Sequence, residues 1–102
     1  MEVNVCASSG KKTASGVITP AAKSGLLVGA ILVNGGAAAT LKLLDDGASG
    51  SELAIVSVPG TTAGNMDAIM FNKPVQFNTD IYATLAGASA YYYVFFVQTK
   101  GD

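Results

Sequence analysis

The sequence contains no histidine and no tryptophan, and its six basic residues are all lysines. Histidine is the commonest general base and the usual partner of a nucleophilic serine or cysteine, so its absence excludes a Ser-His-Asp hydrolase. Zinc and other transition metals lose their main ligand in the same way, and a single cysteine cannot replace it. We therefore predict that the protein is not an enzyme and that it holds no cofactor.

Carboxylates are the remaining candidates for catalysis or for metal binding. They are Asp45, Asp46, Glu52, Asp67 and Asp80. The first two are adjacent in a turn-like segment, where carboxylates usually serve turn geometry and solubility. With the neighbouring serines, residues 45–52 would make an oxygen-rich calcium loop, but the alternating aspartates of an EF-hand loop are missing. The sequence predicts no metal site and leaves calcium binding by this loop open.

Charge is the second scarce property. Only 13% of the 102 residues are charged, against about 25% in an average soluble domain, while 50% are hydrophobic. Residues 25–40 and 83–97 contain no charge at all. A surface rich in glycine and alanine would explain this in a monomer. We favour the alternative that other chains cover part of the surface, because obligate interfaces resemble the core of a domain.

The composition argues against several other classes of partner. Lys11-Lys12 is the only basic cluster, so we expect no nucleic-acid partner. The longest unbroken apolar run, residues 26–33, is too short to span a membrane as a helix. No signal peptide is visible, and Cys6 alone cannot form an internal disulfide, so we expect folding in a reducing compartment or indifference to redox.

Turn signals are dense and regular, and the runs between them are rich in β-branched and aromatic residues. These signals lie at 8–10, 19–20, 34–36, 45–47, 59–61, 72–74, 78–80 and 87. The pattern predicts a single all-β domain over residues 1–102, an antiparallel β-sandwich of seven or eight short strands. A jelly roll is one arrangement that fits, and strand connectivity is not readable from the sequence.

Some segments support more specific predictions. Asn34-Gly35-Gly36 is a hairpin signal, and residues 45–50 are typical of a longer hairpin loop. Residues 60–67 resemble a mobile or partner-facing loop, and residues 37–44 are a weak helix candidate. Residues 2–7 alternate as a strand that contains Cys6. The N-terminal segment 1–15 is an arm that would pair with the edge strand of a neighbouring subunit.

The last predicted strand, residues 90–98, is bulky on both of its faces. Tyr91, Tyr93, Phe95 and Val97 share one face, and the alternate residues share the other. Such a strand is either central in its sheet or covered by a neighbouring subunit. The candidate interface residues are Leu27, Ile31, Tyr91, Tyr92, Tyr93, Phe95 and Phe96. A carbohydrate-binding module is an alternative, which would require exposed rings among Tyr82 and the three consecutive tyrosines.

Five segments resemble the small β-sandwich virion proteins of tailed bacteriophages. They are residues 25–33 (GLLVGAILV), 39–47 (ATLKLLDDG), 49–53 (SGSEL), 71–77 (FNKPVQF) and 80–83 (DIYA). In those proteins a strand leads to a Ser/Gly loop, and an F-x-x-P-V segment and a closing aromatic strand follow. The resemblance covers about residues 16–97.

The resemblance implies a structural role without catalytic residues. Proteins of this kind decorate capsids or build tail and fibre parts, and they are commonly homotrimers. It implies a capsid decoration or cement protein that binds the major capsid protein or other virion proteins and is assembled in the host cytoplasm. A tail, fibre or baseplate component is the alternative within the virion.

Overall fold

The computed structural model describes residues 6–19, 24–60, 62 and 64–98. Every regular element in these ranges is a β-strand. The strands are β1 (Ala7–Ser8), β2 (Gly16–Val17), β3 (Gly25–Val33), β4 (Ala39–Asp45), β5 (Ser51–Val58), β6 (Met66–Phe77), β7 (Ile81–Ala86) and β8 (Tyr91–Gln98). They form two antiparallel sheets, and the predicted all-β sandwich of seven or eight strands is confirmed.

The two sheets have the strand orders β1-β8-β3-β6 and β2-β7-β4-β5, and we call them the first and the second sheet. Successive strands along the chain alternate between the sheets, except that β4 and β5 are neighbours. This order is that of a jelly roll. Because nearly every connection crosses the sandwich, most strand pairs join segments that are distant in sequence, such as β1 with β8.

The core lies between the sheets and follows the alternation of each strand. Leu41 and Leu43 are fully buried while Lys42 between them is exposed, which is the alternation of a half-buried strand. Tyr92 is also fully buried, and its hydroxyl donates a hydrogen bond of 2.7 Å to the carbonyl oxygen of Ala14. Burial raises the pKa of Tyr92 to about 12, so the ring acts as a core residue with one satisfied polar atom.

The predicted hairpin at Asn34-Gly35-Gly36 is wrong, because β3 and β4 belong to different sheets. Asn34 is buried and holds the connection between β5 and β6. Its side-chain oxygen accepts a hydrogen bond from the N–H of Asn65, and its side-chain nitrogen donates to the oxygen of Gly60. The hairpin loop at 45–50 is confirmed, because it joins the paired strands β4 and β5.

Two further predictions are wrong in the centre of the chain. The weak helix candidate at 37–44 lies mostly in β4. The turn at 72–74 lies inside β6, where the register with β3 shifts: Leu27 pairs with Val75, and Gly29 pairs with Met70. Four residues of β6 therefore lie opposite Val28 alone. β6 is an edge strand, which is where a proline such as Pro74 is tolerated within a sheet.

The N-terminal region differs from the predicted arm. Ala7 and Ser8 pair with Phe96 and Phe95 of β8, so the described part of segment 1–15 pairs with the chain's own last strand. Cys6 is exposed and lies just before β1, so its prediction as a strand residue is wrong. The rest of that predicted strand, up to residue 5, lies outside the described residues.

The apolar run 26–33 lies within β3. Over the ranges that the structure describes, no helix is long and apolar enough to cross a membrane.

Candidate interaction face

The outer side of the first sheet carries an almost continuous apolar surface, which we call the apolar face. Strand alternation turns Leu32 and Val94 into the core and turns their neighbours to the outer side of the sheet, where Val33 is covered by adjacent side chains and is only 7% exposed. The apolar face consists of Leu26, Gly29, Ile31, Val33, Met66, Ala68, Met70, Tyr91, Tyr93, Phe95 and Val97. None of these residues is charged, which makes the face a candidate for burial against another chain.

The apolar face is organised in rows that run across β8, β3 and β6. Three of these rows are Tyr91–Val33–Met66, Tyr93–Ile31–Ala68 and Phe95–Gly29–Met70. Each row places an aromatic side chain on β8 and a smaller or more flexible side chain on β6. Ser8 and Gln76, which pair with Phe95 and Leu26, form its polar margins.

The exposed fraction is greatest toward β6. Met66 is 58% exposed and Met70 60%, while Leu26 on β3 is 40% exposed. They are three of the five large hydrophobic residues that are exposed in the described part of the chain. Methionine is flexible and polarizable, and it adapts to irregular partner surfaces. The β6 side of the face is therefore the side most available for contact.

Gly29 lies at the centre of the apolar face, directly after a one-residue bulge at Val28 in β3. A Cβ atom built on Gly29 would overlap the Sδ atom of Met70 and the carbonyl oxygen of Ile69. The side chain of Met70 thus crosses over the glycine and fills the space that a larger residue would need. The φ angle of Gly29 is not in the left-handed region, so backbone conformation does not explain the glycine. Close packing by Met70 and Ile69 does.

Tyr91 and Tyr93 form the aromatic end of the face. Their ring centroids are 6.2 Å apart and the ring planes meet at 80°, an edge-to-face arrangement. The Nζ atom of Lys11 lies 4.4 Å from the centre of the Tyr91 ring, within the range of a cation–π contact. Lys11 therefore borders the apolar face at this end.

The structure divides the seven candidate interface residues into two groups. Tyr91, Tyr93, Phe95 and Ile31 lie together on the apolar face. Leu27, Tyr92 and Phe96 belong to the core between the sheets, and their exposed fractions are 0%, 0% and 5%. For these three the interface assignment is corrected, because side chains already enclosed by the chain's own sheets cannot contact a partner.

A carbohydrate-binding module would stack sugars on exposed rings. Tyr92 is not available for this, and Tyr82, Tyr91 and Tyr93 are only half-exposed. Tyr91 and Tyr93 stand nearly perpendicular to each other, so they do not form a flat platform. The geometry gives no support to this alternative.

The acidic residues of the 45–52 loop take part in an intramolecular clasp at one end of the sandwich. The carboxylate of Asp45 accepts hydrogen bonds from the N–H groups of Asn78, Thr79 and Asp80, at 2.8, 2.9 and 3.5 Å. The carboxylate of Asp80 in turn accepts from the N–H groups of Asp46 and Gly47, both at 3.2 Å. The two loops thus cap each other.

The hydrogen bonds of the clasp change the titration of Asp45. Burial acts to raise the pKa of Asp45, and the hydrogen bonds from Asn78, Thr79 and Asp80 outweigh it, so the pKa is lowered. In the described part of the chain there is no group of three or more His, Cys, Asp or Glu residues arranged to hold a metal ion. These carboxylates are best explained by their backbone partners.

Sequence reasoning missed Met66 and Met70, because residues 60–67 resemble a loop and 72–74 resemble a turn. The available signal was the alternation of residues 66–70, which places Met66, Ala68 and Met70 on one face. Asp67 on the opposite face weakens that signal.

Compared with known proteins, the chain matches no protein family, no curated protein and no solved structure at a significant level.

Proposed function

We propose that this chain is a non-enzymatic structural protein of a tailed-bacteriophage virion, an oligomeric decoration protein that stabilises the capsid. The observation that carries the proposal is the uncharged apolar face on one side of the sandwich. The largest apolar patch on the surface of a soluble domain is often its interaction site. The resemblance of the five sequence segments directs the proposal to virion proteins.

The jelly-roll order supports the same proposal in a weaker way. This fold occurs in viral capsid proteins, but also in lectins and cupins, so the fold alone decides nothing about function. What favours a packing role is the distribution of polar groups. The acidic clasp uses its carboxylates within the chain, while the apolar face leaves its side chains to an outside partner.

The size of the apolar face indicates how it would work. Three strands with the 9-residue length of β3 cover roughly 400–500 Å² per subunit at ordinary strand dimensions. A stable interface buries about 1,200–2,000 Å² in total, so one such face gives a weak contact on its own. Firm attachment would come from several subunits acting together on a repeating shell, where linked weak contacts reinforce one another.

The first experiment measures the oligomeric state of the purified chain by light scattering and sedimentation. We expect an oligomer, with a trimer as the implied state, and we expect the double variant Met66→Lys/Met70→Lys to dissociate it. Lysine at these positions would place two charges in the buried contact, which costs several kcal/mol without partners. The matched control is Val17→Lys, which adds a charge at a residue that is 53% exposed on the second sheet.

The proposal would be contradicted by a wild-type chain that stays monomeric up to millimolar concentration, or by equal dissociation in the control and the double variant. Immunogold labelling of particles of the virus that encodes the chain then tests its location. Label on the head supports a decoration protein, and label confined to the tail replaces it with the fibre or baseplate alternative.

A further inference from the structure

The jelly roll has four sheet edges, and they differ in how well they are protected. β1 and β2 are two residues long, so they offer little backbone for pairing. β5 and β6 are long edge strands with 8 and 12 residues. An unprotected edge strand presents a row of backbone N–H and C=O groups to which another strand can add. The question is therefore which of the two long edges is open.

The direction of each backbone group in the second sheet follows from two hydrogen bonds on β7. The N–H of Ile18 donates to the oxygen of Ile81, and the N–H of Leu85 donates to the Oγ atom of Ser15. The backbone N–H and C=O groups of the odd-numbered residues of β7 thus point toward β2. Because backbone groups alternate sides along a strand, even-numbered residues such as Thr84 face β4.

The same alternation extends through β4 to β5. Lys42 pairs with Thr84 and faces β7, so Leu41 faces β5, where it pairs with Val56. Val56 therefore directs its N–H and C=O groups into the sheet. Its neighbours Ile55 and Ser57 direct theirs to the open edge.

The edge of β6 is protected by its own side chains. The backbone N–H of Asn34 donates to the carbonyl oxygen of Asn65, so the backbone groups of these two residues point toward each other. Alternation along β6 then directs the backbone N–H and C=O groups of Met66, Ala68 and Met70 to the open edge of the sheet. The outward N–H of Ala68 already donates to the carboxylate of Asp67, at 2.9 Å.

Farther along β6, the irregular stretch 71–74 breaks the edge and contains Lys73 and Pro74. Charged residues, irregular pairing and proline are the devices that block strand addition. β6 therefore cannot serve as a continuous template for another strand.

The edge of β5 has none of these devices over residues 53–58. This stretch is LAIVSV, with no charge and no proline, and its one bulge lies at its start, next to Leu53. Glu52 and Pro59 flank it on the two sides. Among the four edges in the described part of the chain, β5 is the one that presents a regular, uncharged strand.

We propose that β5 pairs with β5 of a second copy of the chain, antiparallel and about a twofold axis. A second copy cannot offer β6, which is protected, or β1 and β2, which are too short. The pairing is therefore between identical edges, and such a contact closes as a dimer and does not propagate into a fibre. It does not depend on the apolar face, which lies on the other sheet.

One register satisfies the outward groups of both copies. With the axis at Val56, Ile55 of each copy lies opposite Ser57 of the other, and these are the residues whose N–H and C=O groups face outward. This register makes about four backbone hydrogen bonds. It brings no two charges together, since Glu52 lies outside the paired stretch. The contact is small, so we expect the dimer to be weak.

Ser57→Pro tests the pairing with little cost to the monomer. The N–H of Ser57 faces the open edge, so proline removes no hydrogen bond to β4, but it removes a donor from the proposed pair. Ser57→Ala is the matched control, because it keeps the N–H group. Both are made in the Met66→Lys/Met70→Lys background, where the apolar face no longer contributes.

We expect the background and the Ser57→Ala variant to sediment toward twice the 10.3 kDa chain mass as the concentration rises from micromolar to millimolar. The Ser57→Pro variant should stay near the chain mass, with at least a tenfold weaker association. Circular dichroism checks that the variants are folded. If Ser57→Pro does not fold, Ser57→Lys replaces it, since an edge lysine opposes strand addition.

Amide hydrogen exchange gives a second readout. The N–H groups of Ile55 and Ser57 should exchange more slowly as the concentration of the background protein rises, while that of Val56 should not respond. Equal masses for Ser57→Pro and Ser57→Ala, or exchange at Ile55 that is independent of concentration, would overturn the β5 pairing.

The two proposals fail separately. A wild-type oligomer that Met66→Lys/Met70→Lys reduces to a monomer at every concentration up to millimolar would overturn the β5 pairing and support the apolar-face contact. A wild-type oligomer that Ser57→Pro reduces to a monomer, and that Met66→Lys/Met70→Lys leaves intact, would support the β5 pairing and overturn the apolar-face contact.

Discussion

The two outer faces of the sandwich have the same architecture and differ in charge. At the centre of the first sheet β3 presents Gly29 and Ile31, between β8 and β6. At the centre of the second sheet β4 presents Thr40 and Lys42, and Lys42 is exposed. Both strands bury alternate apolar residues in the common core. The difference lies only in the residues that alternation turns outward.

A lysine at the centre of a sheet face decides whether that face can be covered. Burying an unpaired ammonium group costs several kcal/mol, so the face around Lys42 is suited to water. The cross-strand neighbours of Lys42 are Ile55 and Thr84, neither of which is acidic. The strands of the first sheet place no charged side chain at the centre of its outer face, and Lys11 lies only at the Tyr91 end. The two faces therefore differ in whether a charge stands at their centre.

The largest expected effect separates two adjacent phenylalanines of β8, one on the core side of the first sheet and one on its outer side. Phe96 points into the core, and its replacement by alanine should lower the free energy of unfolding by about 3–5 kcal/mol. Phe95 is half-buried on the apolar face, so Phe95→Ala should cost about 1 kcal/mol in the monomer. Urea unfolding and sedimentation of both variants provide the measurements.

Phe95→Ala should weaken association at least as clearly as it weakens folding. If instead it destabilised the isolated chain as much as Phe96→Ala, the apolar face would be part of the folding core and the distinction between the two sides of β8 would fail.

A smaller difference in stability is expected between two glycine-to-alanine substitutions, one on each sheet. Gly29→Ala would force the new Cβ atom against Met70 and the backbone of Ile69, and overpacking of this kind costs about 1–3 kcal/mol. Gly16→Ala in β2 meets no atom within 4 Å, and it should be neutral or slightly stabilising. Thermal unfolding of the two variants compares them directly, and equal melting temperatures would show that Gly29 is not required for packing.

The smallest expected change in stability follows from removing a carboxylate of the clasp, where the acceptors of the chain's own backbone N–H groups are charged. Asp45→Ala removes the acceptor for up to three backbone N–H groups and should cost about 1–2 kcal/mol at neutral pH. The pKa of Asp45 is lowered in the folded state, so this contribution is present above its unfolded pKa of about 4 and is lost as the pH falls through the lower folded value.

The difference between wild type and Asp45→Ala should therefore be constant from neutral pH to about pH 4 and shrink below it. Urea unfolding over that pH series is the measurement. A difference that grows on acidification would mean that the protonated form of Asp45 is the one bound by the clasp.

Local patterns predicted the strands well where one side is apolar and the other polar. The sequence Leu41-Lys42-Leu43 alternates clearly, and the structure places its members as expected. β6 was not recognised, because Asp67, which is exposed, lies on the core-facing side of the sheet at its edge and Pro74 lies within the strand. Edge strands tolerate both residues, and nothing local in the sequence shows that a segment lies at an edge.

The candidate site was predicted only in part for a related reason. Periodicity separates the two faces of β8, but it does not say which face meets the opposite sheet. Tyr92 and Phe96 therefore could not be distinguished from Tyr91 and Phe95 as interface residues. That choice depends on the direction from which the second sheet packs, which is a property of the whole sandwich.

The sequence by itself determined the class of the fold and the scarcity of charge, because both follow from local alternation and from composition. It also located the charge deficit in residues 25–40 and 83–97. Only the tertiary structure decided that β3 and β8, which come from these two segments, are neighbours in one sheet. The jelly-roll crossovers bring them together, and strand alternation then turns half of their side chains outward, which joins two distant uncharged segments into a single face.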